Sequence, residues 1–227
     1  MEPSIRSALR DSLTDFYFNS WRLVPANLIW AVGFVVLALV AAGYPPALLL
    51  AGVVAIPLVG LHRMAALIAR GEPAAFSDFF GGMRTYGLTA LAIGSGATIV
   101  AAVLVTNALL GFESGGPIGW FLGVSALYGL AGLAIYLVAL WPILVDPQHE
   151  SASLRRRLAL AGVVAIGRPM RAVGLAVVVA GLLGLSVVLF AAIVLVSVAY
   201  TCLVSARVVL PTVDALEARL PEGRLPG

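Results

Sequence analysis

The chain has no lysine, one cysteine, two histidines and little charge of either sign. All 14 basic residues are arginine, 11 residues are acidic, and charged residues make up 11% of the 227 positions. Soluble domains carry about 25%. Hydrophobic residues reach 61%, and the mean hydropathy is +1.05. Such a chain has too few polar groups to cover a water-facing surface, and lipid removes that requirement.

The single cysteine excludes a disulfide within the chain. Cys202 lies in an apolar run and reads as a small buried core residue. His62 and His149 are too far apart for a metal-ligand spacing. The chain has no Cys-x-x-Cys, no phosphate-cradling loop and no Gly-x-Ser-x-Gly elbow. Gly94-Ser95-Gly96 follows no strand, so it is no dinucleotide fingerprint. These absences predict a protein that is not an enzyme and carries no cofactor or metal. Every acidic residue sits in a loop or at the end of an apolar run, which weighs against a proton-coupled carrier.

Long apolar runs are what the chain does have. They predict an all-α transmembrane bundle of about six spans, at about 23–43, 47–69, 87–110, 118–145, 172–188 and 190–208. Gly43-Tyr44-Pro45-Pro46 reads as a turn, Pro57 as a kink, and Pro142 as a bend or stop. The stretch 172–210 would be about 58 Å as one straight helix, against a hydrocarbon core of about 30 Å. Two spans joined near Gly181, Gly184 and Ser186 fit better. The first 22 residues carry Arg6, Arg10, Asp11, Asp15 and Arg22, too polar for a signal peptide core.

With six spans and the N-terminus in the cytoplasm, every arginine falls on the cytoplasmic side. Both termini are then cytoplasmic, with 1–22 as an amphipathic helix, 23–210 as the membrane bundle and 211–227 as a tail. Three cytoplasmic segments carry apolar residues at helical spacing and read as interfacial helices. They are Ser4–Trp21 (Ile5, Leu9, Leu13, Phe16), Ala74–Tyr86 (Phe76, Phe79, Phe80, Met83) and Ser151–Gly167 (Leu154, Leu158, Ala161). Each precedes an arginine that opens a span, namely Arg22, Arg84 and Arg171, so a threefold repeat of helix and hairpin is one reading.

At these residues the chain resembles the YesL-like membrane proteins. Asn27-Leu28-Ile29-Trp30 is similar to that family's Asn-Leu-Leu-Trp signature. Pro57, Arg63 and Arg70-Gly71-Glu72 follow in order, then Phe76-Ser77-Asp78-Phe79-Phe80. Trp141-Pro142-Ile143-Leu144-Val145 resembles its Phe-Pro element, and Ala159 through Pro169 its final cytoplasmic helix. The likeness covers about residues 15–207, but the family's Pro-Gly break in the last stretch is missing. It implies a bacterial cytoplasmic-membrane protein of unknown biochemical activity, accessory or regulatory to carbohydrate uptake, with a sugar permease component as partner. The alternative is a protein that binds or transports a small solute itself.

Few polar residues stand in or beside the spans. Asn27 would lie about one turn inside the interface and needs a partner across helices or a freed carbonyl. Arg63 either snorkels to the head groups or pairs with Asp146, tying the second span to the fourth. Arg155, Arg156, Arg157, Arg168 and Arg171 form the densest basic cluster. They read as orienting charges, or as contacts for anionic lipid head groups or an acidic partner. Nucleic acid is excluded, since no stacking motif accompanies them. Gly119-x-x-x-Gly123 with Ser125, Gly129 and Gly132, and Gly94 to Thr98, form small-residue ridges for packing within the bundle or for a homo-oligomer seam.

Overall fold

A computed structural model describes residues 4–188 and 196–218. Among them are seven α-helices: α1 Ile5–Gly43, α2 Ala55–Ala69, α3 Phe76–Ser114, α4 Gly116–Leu144, α5 Leu154–Gly167, α6 Pro169–Val188 and α7 Val198–Glu217. A 3₁₀ stretch, Pro45–Val54, leads into α2, and a short one, Pro147–His149, lies between α4 and α5. Among the described residues, five units are long and apolar enough to cross a membrane: α1, the 3₁₀ stretch with α2, α3, α4 and α7. The count is six if α5 and α6, bent by 99° at their junction, form one span. The chain is an all-α, multi-pass helical bundle.

The side chain of Ser4 caps α1 by accepting from the N–H of Ser7 at 3.1 Å. The amphipathic segment and the first span are one unbroken helix, with Pro25 inside it. That helix is bent. The Leu9 carbonyl accepts from the Tyr200 hydroxyl, and the Asn27 side chain accepts from the N–H of Ala199. Residues 9 and 27 of a straight helix would stand about 27 Å apart, farther than two adjacent residues of α7 can reach. Pro25, which has no N–H to donate and crowds the preceding turn, lies between these two positions. The second expected interfacial helix is likewise continuous with its span, in α3. Only the third is separated, by the break between α5 and α6.

A kink is expected near Pro57, and there the second span changes from 3₁₀ to α. Pro57 is the third residue of α2, where a missing N–H costs no hydrogen bond. The irregularity lies upstream, in the 3₁₀ stretch that opens with Pro45-Pro46. Pro57 cannot donate to Val53, so the α ladder starts only at Ala55.

Glycine sets the α3–α4 hairpin. Gly115 and Gly116 make the turn at φ 64° and 69°, a region unfavourable to other residues. Below it the backbones touch. A Cβ on Gly111 would lie 2.6 Å from the Gly123 nitrogen and 2.8 Å from the Gly119 carbonyl oxygen. Gly94 approaches Gly52 and Ala55 in the same way. Both ridges thus serve packing inside the bundle at these positions, while Gly96 and Gly132 have open space.

Helix α7 is the centre, packing on α1, α2, α4, α5 and α6. Cys202, Leu203 and Ala206 join the core formed with Leu23, Val59 and Met64. Val204 and Val208 join the core formed with Leu140, Ile143 and Leu160. The position of α7 corrects the expected last span. Gly181 and Gly184 are inside α6, whose bounds also enclose Ser186, so no junction lies there. The segment expected at 190–208 appears as a helix from Val198 onward, with 190–195 outside the described residues. The helix also runs seven residues into the expected tail, because Pro211 is carried within it and Thr212 and Val213 are buried.

Gly111→Ala should therefore cost about 1–3 kcal/mol by forcing backbones apart. Gly132→Ala should be neutral or slightly stabilising. Thermal unfolding in detergent checks both, and equal melting temperatures would contradict the close α3–α4 approach.

Candidate functional site

The C-terminal ends of α2, α4 and α7 meet the N-terminal ends of α3 and α5 at one end of the bundle. Arg22, Arg63, Arg70, Arg156 and Arg157 all make contacts there. Arg22 donates to the carbonyl of Ala74, in the α2–α3 loop, at 2.5 Å.

Arg70, at the end of α2, holds two carboxylates at once. It reaches Asp146 at 3.0 and 2.6 Å and Asp214 at 2.6 and 3.0 Å. Asp146 is 0% exposed, so its charge rests on these partners. His149 extends the chain of bonds, with Nδ1 at 2.7 Å from Asp146 and Nε2 at 3.0 Å from Glu217. Glu217 in turn accepts from Arg156 at 3.1 Å. Asp146 also accepts from the N–H of Gln148, which shapes the loop. Two arginines, His149 and three carboxylates therefore pin α2, the α4–α5 loop, α5 and α7 together.

Of the two readings of Arg63, snorkelling or a pair with Asp146, the pair is not formed: Asp146 bonds to Arg70. Arg63 pairs instead with Glu150 at 2.5 Å and donates to the Val145 carbonyl at 2.8 Å. Arg70, about two turns nearer the helix end, takes Asp146. Asn27 is fully buried and accepts across helices from the N–H of Ala199, in the first turn of α7, at 2.8 Å. The triple arginine is no uniform lipid-facing patch. Arg155 is exposed, Arg156 is half-buried against Glu217, and Arg157 is buried. Arg157 donates to the carbonyls of Leu144 and Glu150 at 2.5 and 2.8 Å and lies over the Tyr86 ring. Arg168 and Arg171 stand at the α5–α6 bend, half-buried.

Beside the ion-pair chain is a polar cleft of about 440 Å³. Arg63, Asp78, Thr85, Tyr86, Glu150 and Arg157 line it, with Gly81 and Gly82. A Cβ on Gly82 would lie 2.8 Å from the Arg63 Cβ, so the glycine lets α2 and α3 close together at the cleft. Its walls offer hydroxyl, carboxylate and guanidinium groups, two positive and two negative. Reasoning from sequence missed Arg70, His149, Glu150, Asp214 and Glu217. The spacings Asp146/His149 and Asp214/Glu217, three residues each, were readable, but which element each would face was not.

Among the described residues no group of three or more His, Cys, Asp or Glu is placed to hold a metal ion. The chain matches no family model, no curated protein and no solved structure.

The ion-pair chain shifts its own titrations. Burial opposes the Arg70 charge, but its bonds to Asp146 and Asp214 outweigh this and raise its pKa. Burial pushes Asp146 up, and the bonds from His149 and Arg70 more than reverse it, leaving the pKa below 3.8. The bond to Asp146 raises His149 above 6.5; burial works against this and Glu217 adds to it. The sign for His149 is that its contribution is complete below pH 6.5 and lost as pH rises through the folded pKa. For Asp146 the contribution is complete above pH 3.8 and lost as pH falls through the folded pKa. Stability in detergent should thus be greatest between these limits, and His149→Phe should flatten the alkaline side of the profile. Arg70→Met alone should cost about 3–5 kcal/mol, because it leaves Asp146 buried without its main cation. Adding Asp146→Leu should recover part of that loss, as read from the melting temperatures.

Proposed function

We propose that the chain is a non-enzymatic, multi-pass protein of a bacterial cytoplasmic membrane that binds a small, polar, uncharged solute at its arginine-bearing end. The observation that carries this reading is the cleft beside Arg63. Its size suits a small ligand, and Arg63 and Arg157 balance Asp78 and Glu150. Charged ligands would meet a like charge on either wall, whereas a neutral solute with several hydroxyls finds donors and acceptors on all sides. The arginine-bearing end faces the cytoplasm in this reading, by the positive-inside rule.

A second reading is an accessory or regulatory partner of a carbohydrate uptake system. It draws on the resemblance of Asn27–Trp30, Phe76–Phe80 and Trp141–Val145 to YesL-like proteins. The exposed Arg155 supplies one charge for anionic lipid head groups or for a permease component. The two readings are compatible if the accessory protein senses the solute.

Calorimetric titration in nanodiscs with a panel of neutral mono- and disaccharides tests the first reading. Saturable binding of one member is expected, weakened about tenfold, or about 1.4 kcal/mol, by Thr85→Val or Asp78→Asn. If no sugar in the panel binds saturably, the solute reading fails. Purification from a native membrane with no permease component retained would count against the second.

A further inference from the structure

A second cavity, of about 370 Å³, lies between α1, α2, α4, α6 and α7 and shares no lining residue with the polar cleft. Its deep side is formed by Trp30, His62, Trp141, Thr201 and Ser205, all buried. Its outer lip is formed by Ala134 of α4 and Ala180 of α6, both exposed. Those helices belong to the apolar bundle, so the lip faces hydrocarbon and not water. Small residues at a lip leave room for entry from the side.

The deep side holds an anomaly. His62 and Trp30 are buried, and among the described residues neither His62 Nδ1 nor Trp30 Nε1 has a hydrogen-bond partner. Buried polar atoms are nearly always satisfied, and in a bundle surrounded by lipid each orphan is costly. The His62 ring lies against Trp141, centroids 6.2 Å apart, a loose contact that leaves the nitrogen unsatisfied. Nothing in the polar cleft or in the ion-pair chain uses either residue. Thr201 and Ser205, one turn apart on α7, donate to the backbone carbonyls of Val198 and Thr201, which leaves their oxygens able to accept.

We propose that this cavity binds a neutral amphiphile from the bilayer, a long apolar chain ending in a hydroxyl or carbonyl. The chain lies along the apolar walls and enters between Ala134 and Ala180. The polar end reaches the His62 and Trp30 side of the cavity, with small side-chain movements that give those two nitrogens partners. A charged head group is excluded, because the deep wall carries no arginine and no carboxylate. The volume falls in the range of sites for small molecules.

The test is photolabelling of the full chain in phosphatidylcholine nanodiscs, with two probes that differ only at one end. One is hexadecanol with a diazirine in its chain, and the other is the same chain without the hydroxyl. The alcohol should label peptides of α2, α4 and α7, and excess unlabelled decanol should reduce that labelling at least fivefold. Ala180→Trp, which fills the lip, should abolish it. His62→Phe, which keeps the stacked ring, should reduce labelling by the alcohol while leaving the hydrocarbon probe unchanged. If Ala180→Trp does not fold, as judged by gel filtration, Ala134→Trp closes the lip from the other side. Labelling that decanol does not compete, or that falls equally on outward residues such as Leu109, would overturn the proposal. So would a lip variant that folds and labels like the native chain.

Discussion

The bundle depends on one arrangement of charge: a guanidinium shared by two carboxylates where three helices end. Arg70 closes α2, and with Asp146 and Asp214 it ties that end to α4 and α7. In lipid, apolar side chains gain little by facing one another rather than acyl chains. Close backbone packing and polar bonds must then decide which helices are neighbours. The ion-pair chain supplies such specificity at the arginine-bearing end. At the other end of α3 and α4, the contact of Gly111 with Gly119 and Gly123 supplies it through shape.

The same logic explains α7. A helix with 72% of its apolar window buried is a core element as well as a candidate span. Its start donates an N–H to Asn27, its middle fills both apolar clusters, and its end carries Asp214 and Glu217 into the ion-pair chain. Prolines are tolerated where such bonds surround them. Pro25 sits inside α1, whose N-terminal part packs along α7, where Asp15 meets Arg207 at 2.5 Å. Pro211 sits in α7 among buried neighbours.

Polar chemistry and apolar space are kept apart. The polar cleft lies where the loops meet and has both signs of charge on its walls. The apolar cavity lies within the bundle and has none. Under the two proposals, that separation gives the polar solute and the amphiphile different surfaces.

Sequence alone determined the class of the protein. Runs of uncharged residues of spanning length are stable only in a lipid-like surrounding, and that energy is a property of composition and order along the chain. It also marked Asn27 and Asp146 as polar groups in need of partners, since burial cost is legible residue by residue. What it could not supply was the partner. Arg63 and Arg70 lie on one helix, both within reach of the loop after α4, and only the rotation and depth of α2 against its neighbours gave Asp146 to Arg70 and Glu150 to Arg63. The course of α1, the central place of α7 and the inward turn of Arg157 were decided in the same way. Each depends on distances between residues remote in sequence, which hydropathy along the chain does not encode.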